Sequence, residues 1–61
     1  MAIGDLVRGH FSRGRDKWTR QGLFVGFKNS NGYVYAEVYW FHENKVGSCQ
    51  PRLLEVIHES N

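Results

Sequence analysis

Tyr33-Val34-Tyr35-Ala36-Glu37-Val38-Tyr39-Trp40-Phe41 is the stretch that decides the fold class. Successive side chains of a strand point to opposite faces. Val34, Ala36, Val38 and Trp40 therefore share one face, and Tyr33, Tyr35, Glu37, Tyr39 and Phe41 share the other. β-Branched and aromatic residues fit such a pleated surface, and the run has no helical spacing of apolar positions. Immediately before it, Asn29-Ser30-Asn31-Gly32 reads as a hairpin turn, because Asn and Gly accept the positive φ that tight hairpins need.

Working outward, Gln21–Lys28 is expected to be the strand that pairs across this turn. It has Leu23, Val25 and Phe27 on one face and Gly22, Phe24 and Gly26 on the other. Glycine at those positions signals a close backbone approach or a bend. Downstream, His42-Glu43-Asn44-Lys45 makes a short turn into a strand over 46–50. Pro51-Arg52-Leu53 cannot continue a ladder at Pro51 and is read as a single tight turn. Leu54–Ile57 closes as a last strand, with 58–61 as a tail. Upstream, Ile3–Arg8 reads as a first strand with Ile3 and Val7 on one face. Gly9–Arg20 is polar, contains Gly14 and has no apolar period, so a long first loop is expected there. Five short strands (near 3–8, 21–28, 33–41, 46–50 and 54–57) in one domain spanning 1–61 describe an all-β protein, a small closed barrel.

The chain has 61 residues and a single cysteine, Cys49, so no internal disulfide can support a domain of marginal size. One thiol fits a reducing compartment. No apolar run approaches the roughly 20 residues of a membrane span, and Met1-Ala2-Ile3-Gly4-Asp5 lacks the pattern of a secretion signal. A cytoplasmic protein with no membrane association is the expectation. The formal net charge is only +2, but it is unevenly spread. Residues 1–28 hold six cations against two acids, and residues 29–61 hold two against four.

In order, Gly4-Asp5-Leu6-Val7-Arg8, Gln21-Gly22-Leu23-Phe24-Val25, Val38-Tyr39-Trp40 and Leu53-Leu54-Glu55-Val56-Ile57 resemble the SH3-like barrel superfamily across nearly the whole chain. The resemblance implies a five-stranded SH3-like barrel. Short reading frames of this type recur in tailed bacteriophages, which implies a phage origin. Barrels of this kind host many unrelated roles, so the likeness carries no function. Gly4–Arg8, Trp18 with Gln21-Gly22, Val25-Gly26-Phe27 and Leu54–Ile57 are also similar to the type II dihydrofolate reductases, whose tetramers share one active site in a central pore. Their strand motif is Val-Gln-Ile-Tyr. The corresponding stretch here is Gly47-Ser48-Cys49-Gln50, which matches it at no position. Photosynthetic accessory subunits with SH3-like barrels have a comparable ending, a protein-docking analogy.

Two groups of residues invite a functional reading. Arg8, Arg13, Arg15, Lys17 and Arg20 cluster around Trp18, with His10 and Phe11 interleaved and Asp16 the one acid among them. Arginine suits phosphate contacts and aromatic rings stack on bases, so this stretch is a candidate site for nucleic acid or another polyanion. The bland alternative is a solvated loop with Trp18 folded back as a lid on the core. Tyr33, Tyr35, Tyr39 and Phe41 form the second group, an outward aromatic stripe of the sort that interfaces favour. Either the stripe is an interface, with a second copy or a host protein as partner, or the first loop covers it.

Catalytic arrangements are not evident. Ser48 and Cys49 have no base near them in sequence, and a strand cysteine is commonly a small buried hydrophobe. His10, His42, His58 and Cys49 fit no zinc spacing, and the glycines form no phosphate-binding loop. No catalytic residue, metal or cofactor is expected. The sequence thus points to a non-enzymatic binding module and a homo-oligomer. A reductase-like homotetramer and a structural virion component stand as the alternatives.

Overall fold

The computed structural model describes residues 1–57; the tail expected at 58–61, and His58 with it, lies outside the described residues. The chain is all-β. Strands β1 (Leu6–Arg13), β2 (Asp16–Ser30), β3 (Tyr33–Trp40), β4 (Lys45–Cys49) and β5 (Leu54–Val56) form one antiparallel sheet in the order β4-β3-β2-β1-β5. A 3-10 turn over Pro51–Leu53 precedes β5, where the sequence placed its tight turn. β4 and β5 form the two edges and do not pair with each other, so the sheet is not closed into a barrel.

β3 follows its alternation from Tyr35 to Trp40, whereas Val34, expected on the inward face, lies at the strand's start beside the turn and is 51% exposed. Ala36, Val38 and Trp40 are buried, and Tyr35, Glu37 and Tyr39 between them are half-exposed on the other face. The turn before β3 is a two-residue loop in which Asn31 and Gly32 both take positive φ, 52° and 81°, the signature of a type I′ hairpin.

Three expectations are corrected. The long first loop does not exist: Gly9–Arg20 is a β-hairpin, with Arg13 opposite Asp16 and a two-residue turn at Gly14-Arg15. Gly14 there has a φ of 62°, which glycine adopts without penalty. The first strand starts at Leu6 rather than Ile3, whose side chain is 77% exposed. β2 runs far beyond 21–28, and its inward residues are Gly22 and Phe24, whereas Leu23 and Val25 are exposed. A bulge between Phe24 and Gly26 shifts the register by one, so Phe27 comes opposite Ala36 and meets the Phe24 ring at 5.0 Å. Such a bulge bends the strand and changes which parity faces inward.

Val7, Phe24, Ala36, Val38 and Trp40 make the core, with Phe11, Cys49, Leu54 and Val56 packed against its rim. Full burial of an aliphatic side chain contributes about 1.5–3 kcal/mol, so a core this small leaves little reserve. Trp40 fills a recess floored by glycine. A Cβ at Gly9 would stand 2.8 Å from its Cη2, and one at Gly47 would stand 3.1 Å from its Nε1.

Candidate functional site

The corrected first hairpin sets the geometry of the basic cluster. β5 pairs only with Val7–Gly9 of β1, and β3 pairs with β2 only from Gly22 onward. Residues 10–20 therefore form a two-stranded arm with no third strand beside it among the described residues. A lone two-stranded ribbon is marginal in water. This one is held by aromatic packing: Trp18 stacks on Phe11 across the hairpin, with centroids 6.1 Å apart, and Phe11 meets Trp40 edge-on at 5.7 Å.

Register partners in an antiparallel pair share a face, and the pairing divides the cations. Phe11, Arg13, Trp18 and Arg20 lie on the face that continues the core, and Arg8, His10, Ser12, Lys17 and Thr19 lie on the other. Arg15 sits in the turn. Arg13, Arg15 and Lys17 are exposed at the arm's tip, whereas Arg20 is half-buried. Arg8 is not part of that tip. Its guanidinium stands 3.6 Å from Glu55 on β5, and the same Oε1 of Glu55 is 3.0 Å from His10 Nε2. The structure thus brings Trp18 and four cations together on the arm and pairs the fifth with an acid.

Trp18 does lean on the core through Phe11, as a lid would, yet 38% of it remains exposed. Between the arm and the β3–β4 turn, Phe11, Trp18, Arg20, Trp40, His42 and Glu43 line a cleft of about 210 Å³. The turn that forms its far wall is fixed by two backbone hydrogen bonds to the Trp40 carbonyl, from Glu43 N–H at 3.3 Å and Asn44 N–H at 2.9 Å. Sequence reasoning missed His42 and Glu43 as neighbours of the arm. The only signal for them was their place in the turn two and three residues after Trp40. A second, more open depression of about 430 Å³ on the arm is lined by His10, Phe11, Ser12, Lys17, Trp18 and Thr19.

The aromatic stripe is split as well. Tyr39 lies in register between Leu23 on β2 and Val46 on β4, and Phe41 meets it at 6.2 Å. Its hydroxyl donates to Asn44 Oδ1 at 3.2 Å. Tyr35, on the same face, is half-exposed opposite Lys28, and Tyr33 is exposed beside the 29–32 turn.

Burial pushes the Cys49 thiol above its ordinary pKa, as desolvation disfavours the thiolate. Among the described residues, no three His, Cys, Asp or Glu side chains come together to hold a metal, and no helix is long and apolar enough to cross a membrane. No family model matches the chain, and no curated protein or solved structure is significantly similar to it. The class its fold defines is a small all-β protein with a single antiparallel sheet.

Proposed function

We propose that the chain is a nucleic-acid-binding module with SH3-like strand connectivity in an open sheet, whose first hairpin is the binding arm. The observation that carries this reading is the arm itself: a two-stranded ribbon with Arg13, Arg15 and Lys17 exposed at its tip and a partly exposed Trp18 at its base. Cations on a projecting ribbon contact phosphates from either side, and a two-stranded ribbon fits within a nucleic-acid groove. An exposed indole adds stacking on bases, which needs no particular sequence. The strand order, with β5 returning to β1 after a 3-10 turn, supports the SH3-like reading.

The test is a mobility-shift assay at low salt with labelled single-stranded and duplex oligonucleotides. The wild-type chain retards them, and a variant carrying Arg13→Glu and Lys17→Glu does not. Equal retardation by both chains, or none by the wild type, contradicts the proposal.

A second reading concerns assembly. Leu23, Tyr39 and Val46 form an apolar row across three strands on the face away from the core, extended by Phe41. Soluble monomers rarely leave such a patch open, and self-association of identical faces covers it most simply. Light scattering behind a sizing column should give a dimer or larger, and Tyr39→Ala with Val46→Ser should return it to monomer. A wild-type monomer at high concentration contradicts this reading.

A further inference from the structure

The cleft between the arm and the β3–β4 turn has a donor, an acceptor and a stacking surface in one small volume. At about 210 Å³ it is smaller than the pockets that take drug-sized ligands, and suits a single flat ring system. One wall is Trp18, which rests on Phe11 and keeps part of its ring in solvent. Arg20 Nη1 donates to the Thr19 carbonyl at 3.0 Å. That bond steadies the guanidinium and leaves most of its five N–H donors free for a phosphate.

Glu43 supplies the acceptor. Its Oε1 is 3.1 Å from His42 Nε2 and its Oε2 is 3.6 Å from Lys45 Nζ. A carboxylate has about four acceptor positions, so these two contacts leave about two of them unused on a residue that lines the cleft. Among the bases, guanine alone presents two adjacent donors, N1–H and N2–H₂, which match the two oxygens of a carboxylate. Adenine and cytosine set one amino donor beside an acceptor nitrogen, which a carboxylate repels.

Resting on the nucleic-acid reading above, we propose that this cleft receives one unpaired nucleobase, guanine by preference, stacked on Trp18 with its phosphate on Arg20. The base must be out of a duplex, since its pairing edge is the edge that Glu43 meets.

The experiment separates the cleft from the arm. The ligands are fluorescent single-stranded phosphodiester heptamers, abasic at every position except the centre, which carries guanine, adenine, cytosine or no base. Affinity is read by anisotropy at low salt. The fully abasic strand binds through the arm alone. Guanine tightens binding about tenfold over it, within the range of one base–aromatic stack, and binds tighter than adenine or cytosine. Trp18→Ala removes the gain from any base while abasic binding persists. Glu43→Gln, an exposed change that leaves the core untouched, brings guanine down to adenine. Equal affinity for the guanine and abasic strands overturns the cleft proposal and leaves the arm standing. Equal affinity for guanine and adenine in the wild type overturns the role of Glu43. Failure of every strand to bind at low salt overturns the arm, and the cleft with it.

Discussion

Trp18 and Phe11 face each other across the first hairpin with planes only 28° from parallel, and Phe11 passes that contact on to the buried Trp40. The arm is thus attached to the core by one half-buried phenyl ring. Removing that ring should cost more than removing the indole above it. Phe11→Ala is expected to lower stability by about 3 kcal/mol. Trp18→Ala should cost about 1 kcal/mol, the size of one exposed aromatic pair. Urea denaturation of both variants checks the order; a larger loss for Trp18→Ala would mean that the indole is the anchor.

Gly22 lies opposite Trp40, with its Cα against β3. A Cβ there would run into the Tyr39 carbonyl and stand 2.6 Å from Val38 Cγ1. Backbone cannot move aside cheaply, so Gly22→Ala is expected to destabilise by about 3 kcal/mol, the upper end for overpacking. A thermal melt within a degree of wild type would show that the two strands are further apart than described.

Arg8 is engaged with Glu55 and so separated in role from the cations at the arm's tip. Arg8→Ala should change oligonucleotide affinity less than twofold, whereas Arg13→Ala should weaken it several-fold. The pair is exposed on both sides, so Glu55→Gln should cost under about 1 kcal/mol of stability. Parallel binding titrations of Arg8→Ala and Arg13→Ala, with a urea melt of Glu55→Gln, decide the matter.

Cys49 has its thiol pKa raised by burial. A folded-state pKa above the unfolded value means that the folded chain holds its proton longer. Stability should then decline as pH rises above about 8.5, the ordinary cysteine value. Alkylation of the native protein should be slow at neutral pH and reach the unfolded rate only in denaturant. Equal rates in the two states would place the sulfur in solvent.

β3 and the turn before it were legible because each inward position carries a side chain that reports its side: Ala36, Val38, Trp40. The first hairpin was not, and the reason is physical. Its inward positions are Val7, Gly9, Phe11, Trp18, Arg20 and Gly22. The two glycines sit where aromatic rings or backbone occupy the space a side chain would need. The alternation is real, but glycine and arginine do not register as apolar, so the stretch reads as a loop. β2 misled for a different reason. The bulge between Phe24 and Gly26 adds one residue, and a strict period of two then groups Phe27 with Leu23 and Val25. The basic residues were found by composition, but their division between two faces depends on register, which composition does not carry.

The central claim is that the tip of the first hairpin meets nucleic-acid phosphates. The most direct test is anisotropy of a labelled single strand titrated across a range of salt concentrations, for the wild type and for the variant with Arg13, Arg15 and Lys17 changed to Gln. The three cations at the tip with Arg20 as a fourth phosphate contact give a log–log slope of about −3 on single strands, and the variant's remaining Arg20 contact gives about −0.7. That pair of slopes is the expected result. A wild-type slope near zero, or the same slope in both chains, contradicts the claim.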